Sequence, residues 1–250
     1  MSAPAETAQS GIPVCFTARV PDSYVPLPER PDQAEWSETL DRLMPAAQAE
    51  GREFALANFP RVLPLLRADE VVKTALHISV VADELAFGAL VVGLLPTRHE
   101  SALVTAESIY RKKKEKFFGD LPSEQLTDID EKLAKGLRGP EDTLLATKLP
   151  VGPAVTSISL RTLTMPRKPG LGEDGPPVKM GIALCQLTVP APRDYTLYFT
   201  IATPTLKHTS VFSGHLAAIG RTVTFDPDEV AKASRDTDAV VGRRPVNPPD

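Results

Sequence analysis

The side chains best suited to metal binding or proton transfer are the four histidines, and two of them lie close together in the sequence. His208 and His215 are seven residues apart, in a segment whose apolar residues recur at helical spacing. On a helix this spacing places the two rings on roughly one face, about 10 Å apart. Since a zinc–nitrogen bond is about 2 Å long, one metal ion cannot be held directly by both. His77 and His99 have no carboxylate at ligand spacing, so we expect surface or capping histidines and no metal site.

A glycine-rich segment, "GLGEDG" at residues 170–175, matches the spacing of a dinucleotide-binding loop. Such a loop binds phosphate only when it follows a strand and opens a helix, because the helix N-terminus then faces the pyrophosphate. Here Pro169 precedes the segment, and two prolines and another strand pattern follow it. Glu173 and Asp174 would also repel phosphate. The sequence therefore predicts a hairpin loop and no cofactor.

Nucleophilic catalysis has no recognisable motif in this sequence, because G-x-S-x-G, S-x-x-K and H-E-x-x-H do not occur. Cys15 and Cys185 both lie in predicted strands, which favours buried free thiols over a disulfide or a reactive pair. Asp83 and Glu84 fall in a predicted turn, where nothing would raise a carboxyl pKa as acid catalysis requires. We therefore expect a noncatalytic protein, and an enzyme assembled from dispersed polar residues remains the alternative.

One stretch, "YRKKKEKFF" at residues 110–118, concentrates positive charge beside aromatic side chains. Such a stretch can bind phosphates and stack on bases, or lie on a membrane surface. It can also be an ordinary solvated helix face. A third, intermediate interpretation is a docking site for an acidic protein partner. Because the patch is short and the chain carries a net charge of -4, we do not expect nucleic-acid binding. The candidate partner-docking residues are Arg111, Lys112, Lys113, Lys114 and Lys116.

Composition is that of a soluble globular protein, with 42% hydrophobic and 24% charged residues among 250. The opening "MSAPAETAQSGIP" has neither a basic start nor an apolar core, so we do not expect a signal peptide. The apolar run "LAFGALVVGLLP" is too short to span a bilayer and fits a buried strand. We expect a cytoplasmic protein, and the many arginines and alanines suggest a bacterial source.

The first half of the chain alternates short extended segments with helical ones. "VCFTARVP" and "YVPLP" read as strands, and Asp32 with Glu35 fits a capping box that opens a helix. A second helical stretch covers about residues 54–63. "VVKTALHISVVA" alternates as a half-buried strand, with His77 on its polar face, and the turn "DE" joins it to a second strand as an antiparallel hairpin. Residues 101–118 read as a helix capped by Ser101.

The second half consists mainly of strands bounded by proline, glycine or aspartate. Its last part, "DYTLYFTIATPTLKHTSVFSGHLAAIGRTVTF", predicts a strand over residues 195–203 and then a helix. Phe212, Leu216 and Ile219 are spaced four and three apart and form the buried stripe of that helix. Gly220 is a candidate helix terminator, and "TVTF" is expected to return to the sheet edge.

This order of elements, ending in strand, helix and strand, resembles the PsbP-like α/β sandwich, which includes the photosystem PsbP subunits and the Mog proteins. The resemblance implies an α+β fold with a twisted antiparallel sheet and helices packed on it. We assign residues 13–225 to one domain, with a connector or insertion at 119–141, a flexible leader at 1–12 and a disordered tail at 226–250. The resemblance also implies a noncatalytic protein-binding or assembly-accessory module. Given the bacterial source that the composition suggests, we expect its partners in a secretion system or another multiprotein assembly.

Overall fold

The computed structural model describes seven segments of the chain: residues 14–28, 33–44, 71–81, 83–97, 101–118, 143–165 and 178–228. The first half of these segments contains β1 (Phe16–Thr17), β2 (Tyr24–Pro26), α1 (Gln33–Leu43), β3 (Val71–Val81), β4 (Glu84–Pro96) and α2 (Ala102–Phe118). The second half contains β5 (Thr143–Leu149), β6 (Gly152–Met165), β7 (Val178–Ala191), β8 (Tyr195–Thr203), a 3₁₀ turn (Leu206–His208), α3 (Thr209–Thr222) and β9 (Thr224–Phe225).

Seven of these strands form one antiparallel sheet in the order β2-β3-β4-β8-β7-β6-β5. With helices packed against it, the sheet confirms the predicted α+β class. The predicted hairpin is also confirmed, because β3 pairs with β4 up to Val81 opposite Glu84. Asp83 turns the chain there with a φ of 62°, a left-handed conformation that aspartate tolerates better than most residues.

Helix α3 covers one face of the sheet, which we call the α3 face. Phe212, Leu216 and Ile219 are fully buried against it, as their spacing predicts. The strands supply the rest of this core, with large buried side chains at Leu90, Val92, Leu94, Leu187, Val189, Leu197, Phe199 and Ile201. Burial of this many large apolar side chains is the main favourable contribution to folding.

Gly88 on β4 lies directly beneath the Phe212 ring, and a methyl group there would come within 2.5 Å of Cε1. Because a packed aromatic ring cannot yield by so much, we expect Gly88→Ala to lower the free energy of unfolding by about 2 kcal/mol. Gly214 is the matched control, since a methyl group there meets nothing within 4 Å. Gly214→Ala in the middle of α3 should stabilise the protein slightly, by about 0.5 kcal/mol. Urea titrations of both variants measure this, and equal effects would contradict the close approach.

The opposite face of the sheet carries α1 and α2, and we call it the α1–α2 face. Trp36 and Leu43 of α1 pack with Val25, Leu27 and Leu76 in a second core, because their spacing of seven residues places both on one side of the helix. Helix α2 lies over β5, β6 and β7. Ser101 caps it as predicted, because its Oγ accepts a hydrogen bond from the Val104 amide over 3.3 Å.

His77 is a correction to the sequence-based interpretation, which placed its side chain on a solvated face of β3. Its neighbour Leu76 is 1% exposed beneath α1, and His77 is itself 4% exposed beneath α3. The alternation of β3 was interpreted correctly, but both of its faces are covered at this point. The polar character of His77 therefore did not mean that this side of the strand is exposed to solvent.

The closing segment folds as strand, helix and strand, with two corrections. Gly220 does not end α3, which continues to Thr222; it allows close packing, since a methyl group there would come within 2.8 Å of the Leu187 side chain. The final strand does not join the edge of the large sheet. It pairs with β1 instead, Phe16 opposite Phe225, in a separate two-stranded sheet.

Several predicted segments lie outside the described residues. These are the leader at 1–12, the cap at Asp32, the second helical stretch near 54–63, the connector at 119–141, the loop at 170–175 and all but the first three residues of the tail. The strands that flank the glycine-rich loop are described, and Met165 pairs with Val178 across it. The loop thus joins two antiparallel strands, which is the context expected of a hairpin.

Candidate functional site

The outer side of α2 carries most of the predicted docking residues. Arg111, Lys112 and Lys116 are exposed, whereas Lys114 is half-buried. Arg111 is 77% exposed in its side chain and forms an ion pair with Glu107, one helical turn earlier, at 2.5 Å. An exposed ion pair at this spacing stabilises a helix by only about 0.3 kcal/mol. The guanidinium of Arg111 can therefore readily leave Glu107 for another carboxylate.

Two large apolar side chains are exposed at the start of the same helix. Leu103 is 68% exposed and Val104 is 49% exposed. Val104 and Arg111 are two helical turns apart, so they lie on one side of α2. One side of α2 therefore presents the apolar Val104 and the cation Arg111, with Leu103 and Lys112 on its two flanks.

Lys113 does not belong to this exposed face. Its ammonium group donates hydrogen bonds to Ser157 Oγ at 2.9 Å and to Gln186 Oε1 at 2.5 Å, on strands β6 and β7. Gln186 in turn donates to Thr200 Oγ1 at 2.9 Å, which extends the chain of hydrogen bonds to β8. Lys113 therefore attaches α2 to the α1–α2 face of the sheet.

Burial lowers the pKa of Lys113 to about 8, and the charges of Lys116 and Arg161 contribute to the same shift. The position of Lys113 on the inner side of α2 could have been predicted from the spacing of residues along the helix, although its positive charge suggested a solvated position. Ala106, Ile109 and Lys113 are three and four residues apart, which is the spacing of an inward-facing helical stripe. Ala106 is buried and Ile109 half-buried, so Lys113 continues the buried side of α2.

On the α3 face, four rings from three parts of the chain meet around His77. Its ring lies 5.0 Å from that of Tyr24, 5.2 Å from that of His215 and 5.7 Å from that of Phe212, between centroids. Tyr24 and His215 are joined by a hydrogen bond of 3.1 Å between the phenol oxygen and Nδ1. We call these four residues the ring cluster. It holds the edge strand β2 and the helix α3 on β3.

His77 also lies within 2.8 Å of a hydroxyl, because its Nε2 pairs with Ser79 Oγ on the same strand. A serine beside an imidazole is the first requirement of a nucleophilic site. The other ring nitrogen, Nδ1, forms no hydrogen bond of good geometry with any described residue. The nearby Ser23 backbone nevertheless acts to raise the His77 pKa, against the larger effect of burial. No carboxylate among the described residues orients His77, and its ring is enclosed by the ring cluster.

Burial lowers the pKa of both cluster histidines, and the proximity of His77 adds to the shift at His215. Burial also raises the pKa of Tyr24, so at neutral pH the whole cluster is uncharged. In its neutral form the ring cluster packs β2 and α3 against β3. Protonation of its histidines is disfavoured in the folded state, so the stability of the protein depends on pH.

We expect the protein to lose stability as the pH falls through the range in which free histidine titrates. The unfolded chain gains protons on His77 and His215 below about pH 6.5, whereas the folded chain does so only at lower pH. The unfolded state is therefore favoured progressively as the pH falls below about 6.5. Urea titrations at pH 7.5 and 5.5 measure the loss. In His215→Gln the loss should be smaller than in the wild type, and an unchanged loss would contradict this assignment.

His208 lies apart from the ring cluster, at the start of α3. It is buried, and its Nε2 is 3.7 Å from Glu84 Oε2, while Lys207 donates to the other carboxylate oxygen over 2.8 Å. The hydrogen bond from Lys207, followed by its charge, lowers the pKa of Glu84. The two histidines of the closing helix thus belong to different surroundings. No group of three or more histidine, cysteine, aspartate or glutamate side chains in the described segments could hold a metal ion.

The two cysteines differ in their surroundings, and only one matches the prediction. Cys185 is fully buried in the core of the α3 face, and burial raises the pKa of its thiol to about 11. Cys15 is exposed, because it precedes the two-residue strand β1 and not a long buried one. Both thiols are free, as expected.

No family model, curated protein or solved structure matches this chain. Within the described segments, no helix has the length and apolar character needed to cross a lipid bilayer. The fold is accordingly characterised by its own topology, a seven-stranded antiparallel sheet with helices on both faces.

Proposed function

We propose that the protein is a noncatalytic protein-binding or assembly-accessory module that binds an acidic partner through the outer side of α2. The observation that carries this proposal is that one exposed side of the helix joins the apolar Val104 to the cation Arg111, with Leu103 and Lys112 on its flanks and the exposed Lys116 near its end. Apolar contacts would supply affinity, and the cations would select an acidic surface and speed its association.

The composition of the helix favours a protein partner over nucleic acid or a membrane surface. Glu107 and Glu115 alternate with the cations, and Lys113 is directed into the sheet, so the outer side is only weakly positive. A phosphate backbone or an anionic bilayer would select a denser array of cations. An acidic protein segment can match an alternating pattern of charges.

The resemblance of the element order to the PsbP-like sandwich supports the same proposal, because known members of that fold are mostly binding proteins and assembly factors. A fold hosts many functions, so this support is an analogy. We propose accordingly that the protein acts in the bacterial cytoplasm, as an accessory of a secretion system or another multiprotein assembly.

We expect charge reversal on α2 to abolish partner capture without unfolding the protein. The tagged protein is used to capture partners from its native cytosol, and the protein identified by mass spectrometry is then purified and rebound. Lys112→Glu/Lys116→Glu should reduce rebinding at least tenfold while the Tm stays within about 3 °C, since both side chains are exposed. Val104→Ser should also weaken rebinding.

Arg19→Glu/Arg221→Glu is the matched control, because it makes the same change in net charge at exposed positions beside α3 and away from α2. It should leave rebinding unchanged. Rebinding of the wild type should weaken from 50 mM to 500 mM salt, as electrostatic contacts do. A partner that binds all variants equally at high salt would overturn the proposal.

A further inference from the structure

A cleft of about 360 Å³ opens on the α3 face beside the edge strand β2. It lies between the segment that precedes β2, the strands β3 and β4, and the last turn of α1. Its size is within the range of small-molecule sites, about 300–1,000 Å³. None of the candidate docking residues lines it.

The floor of the cleft is apolar and is fixed by the strand register. Ala75 lies opposite Leu90 in the β3–β4 ladder, and Lys73 lies opposite Val92, so these four side chains occupy one face of two adjacent strands. The alanine leaves room that a larger side chain would fill. The strand β2 ends at Pro26, which lies opposite Ala75, and the cleft therefore opens where the edge of the sheet becomes accessible.

Three charged side chains line the cleft: Asp22, Arg42 and Lys73. All three are exposed, and none of these side chains forms a hydrogen bond or an ion pair within the described part of the chain. Lys73 is the exposed member of a strand face on which Ala75 and His77 are buried. Along β3, the lining of the cleft thus changes from the apolar Ala75 to the cationic Lys73. The three charged side chains together give the cleft a net charge of +1.

We propose that this cleft binds a small amphipathic carboxylate, with the apolar body against Val20, Pro21 and Pro26 and the carboxylate between Lys73 and Arg42. Arginine and lysine bind carboxylates through charge-assisted hydrogen bonds, which are stronger than those between neutral groups. Apolar contact with these accessible walls, above the buried floor, would orient the ligand so that its charged end faces the solvent side of the cleft. The Asp22 carboxylate repels the carboxylate of the ligand and thereby limits the affinity.

Ligand-observed NMR titration with 4-phenylbutyrate tests the proposal at low salt, with 4-phenylbutan-1-ol as the neutral probe of the same shape. For a ligand of this size we expect a Kd on the order of 1 mM for the carboxylate and at least fivefold weaker binding of the alcohol. Lys73→Ala and Arg42→Ala should each weaken binding of the carboxylate about fivefold and leave binding of the alcohol unchanged. Asp22→Asn should change affinity in the opposite direction and tighten binding about threefold.

Lys148→Ala is the matched control, since Lys148 is an exposed strand lysine outside the cleft. It should leave both affinities unchanged, and circular dichroism confirms that every variant is folded. Equal binding of acid and alcohol, equal effects of Lys73→Ala and Lys148→Ala, or no binding at 10 mM would each overturn the proposal. Because the cleft and the outer side of α2 share no residue, these outcomes leave the partner-binding proposal unaffected.

Discussion

Phe212→Ala is expected to lower the free energy of unfolding by about 3–5 kcal/mol. The ring is fully buried, lies against Gly88, and contacts His77 and His215 in the ring cluster, with centroid separations of 5.7 and 5.9 Å. Its removal would leave a cavity between α3 and the sheet that glycine on β4 cannot fill. Since the total stability of a domain is about 5–15 kcal/mol, this single change would remove a large part of it.

Chemical denaturation of the purified variant measures this loss, and Phe225→Ala is the matched control. Phe225 also contacts the core of the α3 face, but it is only partly buried at the end of β9. Its replacement should cost less than half as much. Similar losses for the two phenylalanines would show that Phe212 is not the principal attachment of α3.

Lys113→Glu is expected to destabilise the protein by about 3 kcal/mol, whereas Lys112→Glu should change stability by no more than about 0.5 kcal/mol. The two lysines are adjacent in sequence, but only Lys113 donates to Ser157 and Gln186. A glutamate at position 113 would place a carboxylate near the Gln186 carbonyl oxygen and remove the donor on which both partners depend.

Urea unfolding of the two variants separates these outcomes, and Lys113→Met gives an intermediate reference without the repulsive charge. Equal stability of the two glutamate variants would show that Lys113 is solvated and that α2 is attached by its apolar side chains alone. The result also determines how α2 can be used in binding studies, because reversing all three consecutive lysines would combine loss of charge with loss of structure.

Local patterns in the sequence predicted the elements of this fold well. The alternation of residues 71–96, the turn at Asp83 and the stripe of Phe212, Leu216 and Ile219 are set by neighbours within a few residues, and each has its predicted structure. The same patterns could not predict which faces are covered. His77 is polar and alternates with apolar residues, but a helix more than 130 residues later in the chain buries it.

The candidate sites were less predictable, because each is assembled from distant segments. Lys113 lies in a stretch that is typical of a solvated patch, and only its partners on β6 and β7 show that it faces the sheet and is half-buried. Tyr24 and His215 are 191 residues apart and carry no common motif. The cleft depends on Arg42 approaching the strand that contains Lys73, and spacing along one helix or one strand contains no information on that approach.

The strand order divides the sheet into two meanders, β2-β3-β4 and β5-β6-β7-β8, which are joined only through the β4–β8 ladder. Within each meander, neighbouring strands pair with strands next to them in the chain. The joining ladder pairs residues 99 to 113 positions apart, such as Val91 with Thr200. The entropy of closing a large loop must be overcome before such distant contacts stabilise the chain, and topologies of this kind fold slowly. Formation of this one ladder is therefore the step expected to limit the folding rate, while the β3–β4 hairpin and the meander β5–β8 can form from more local contacts.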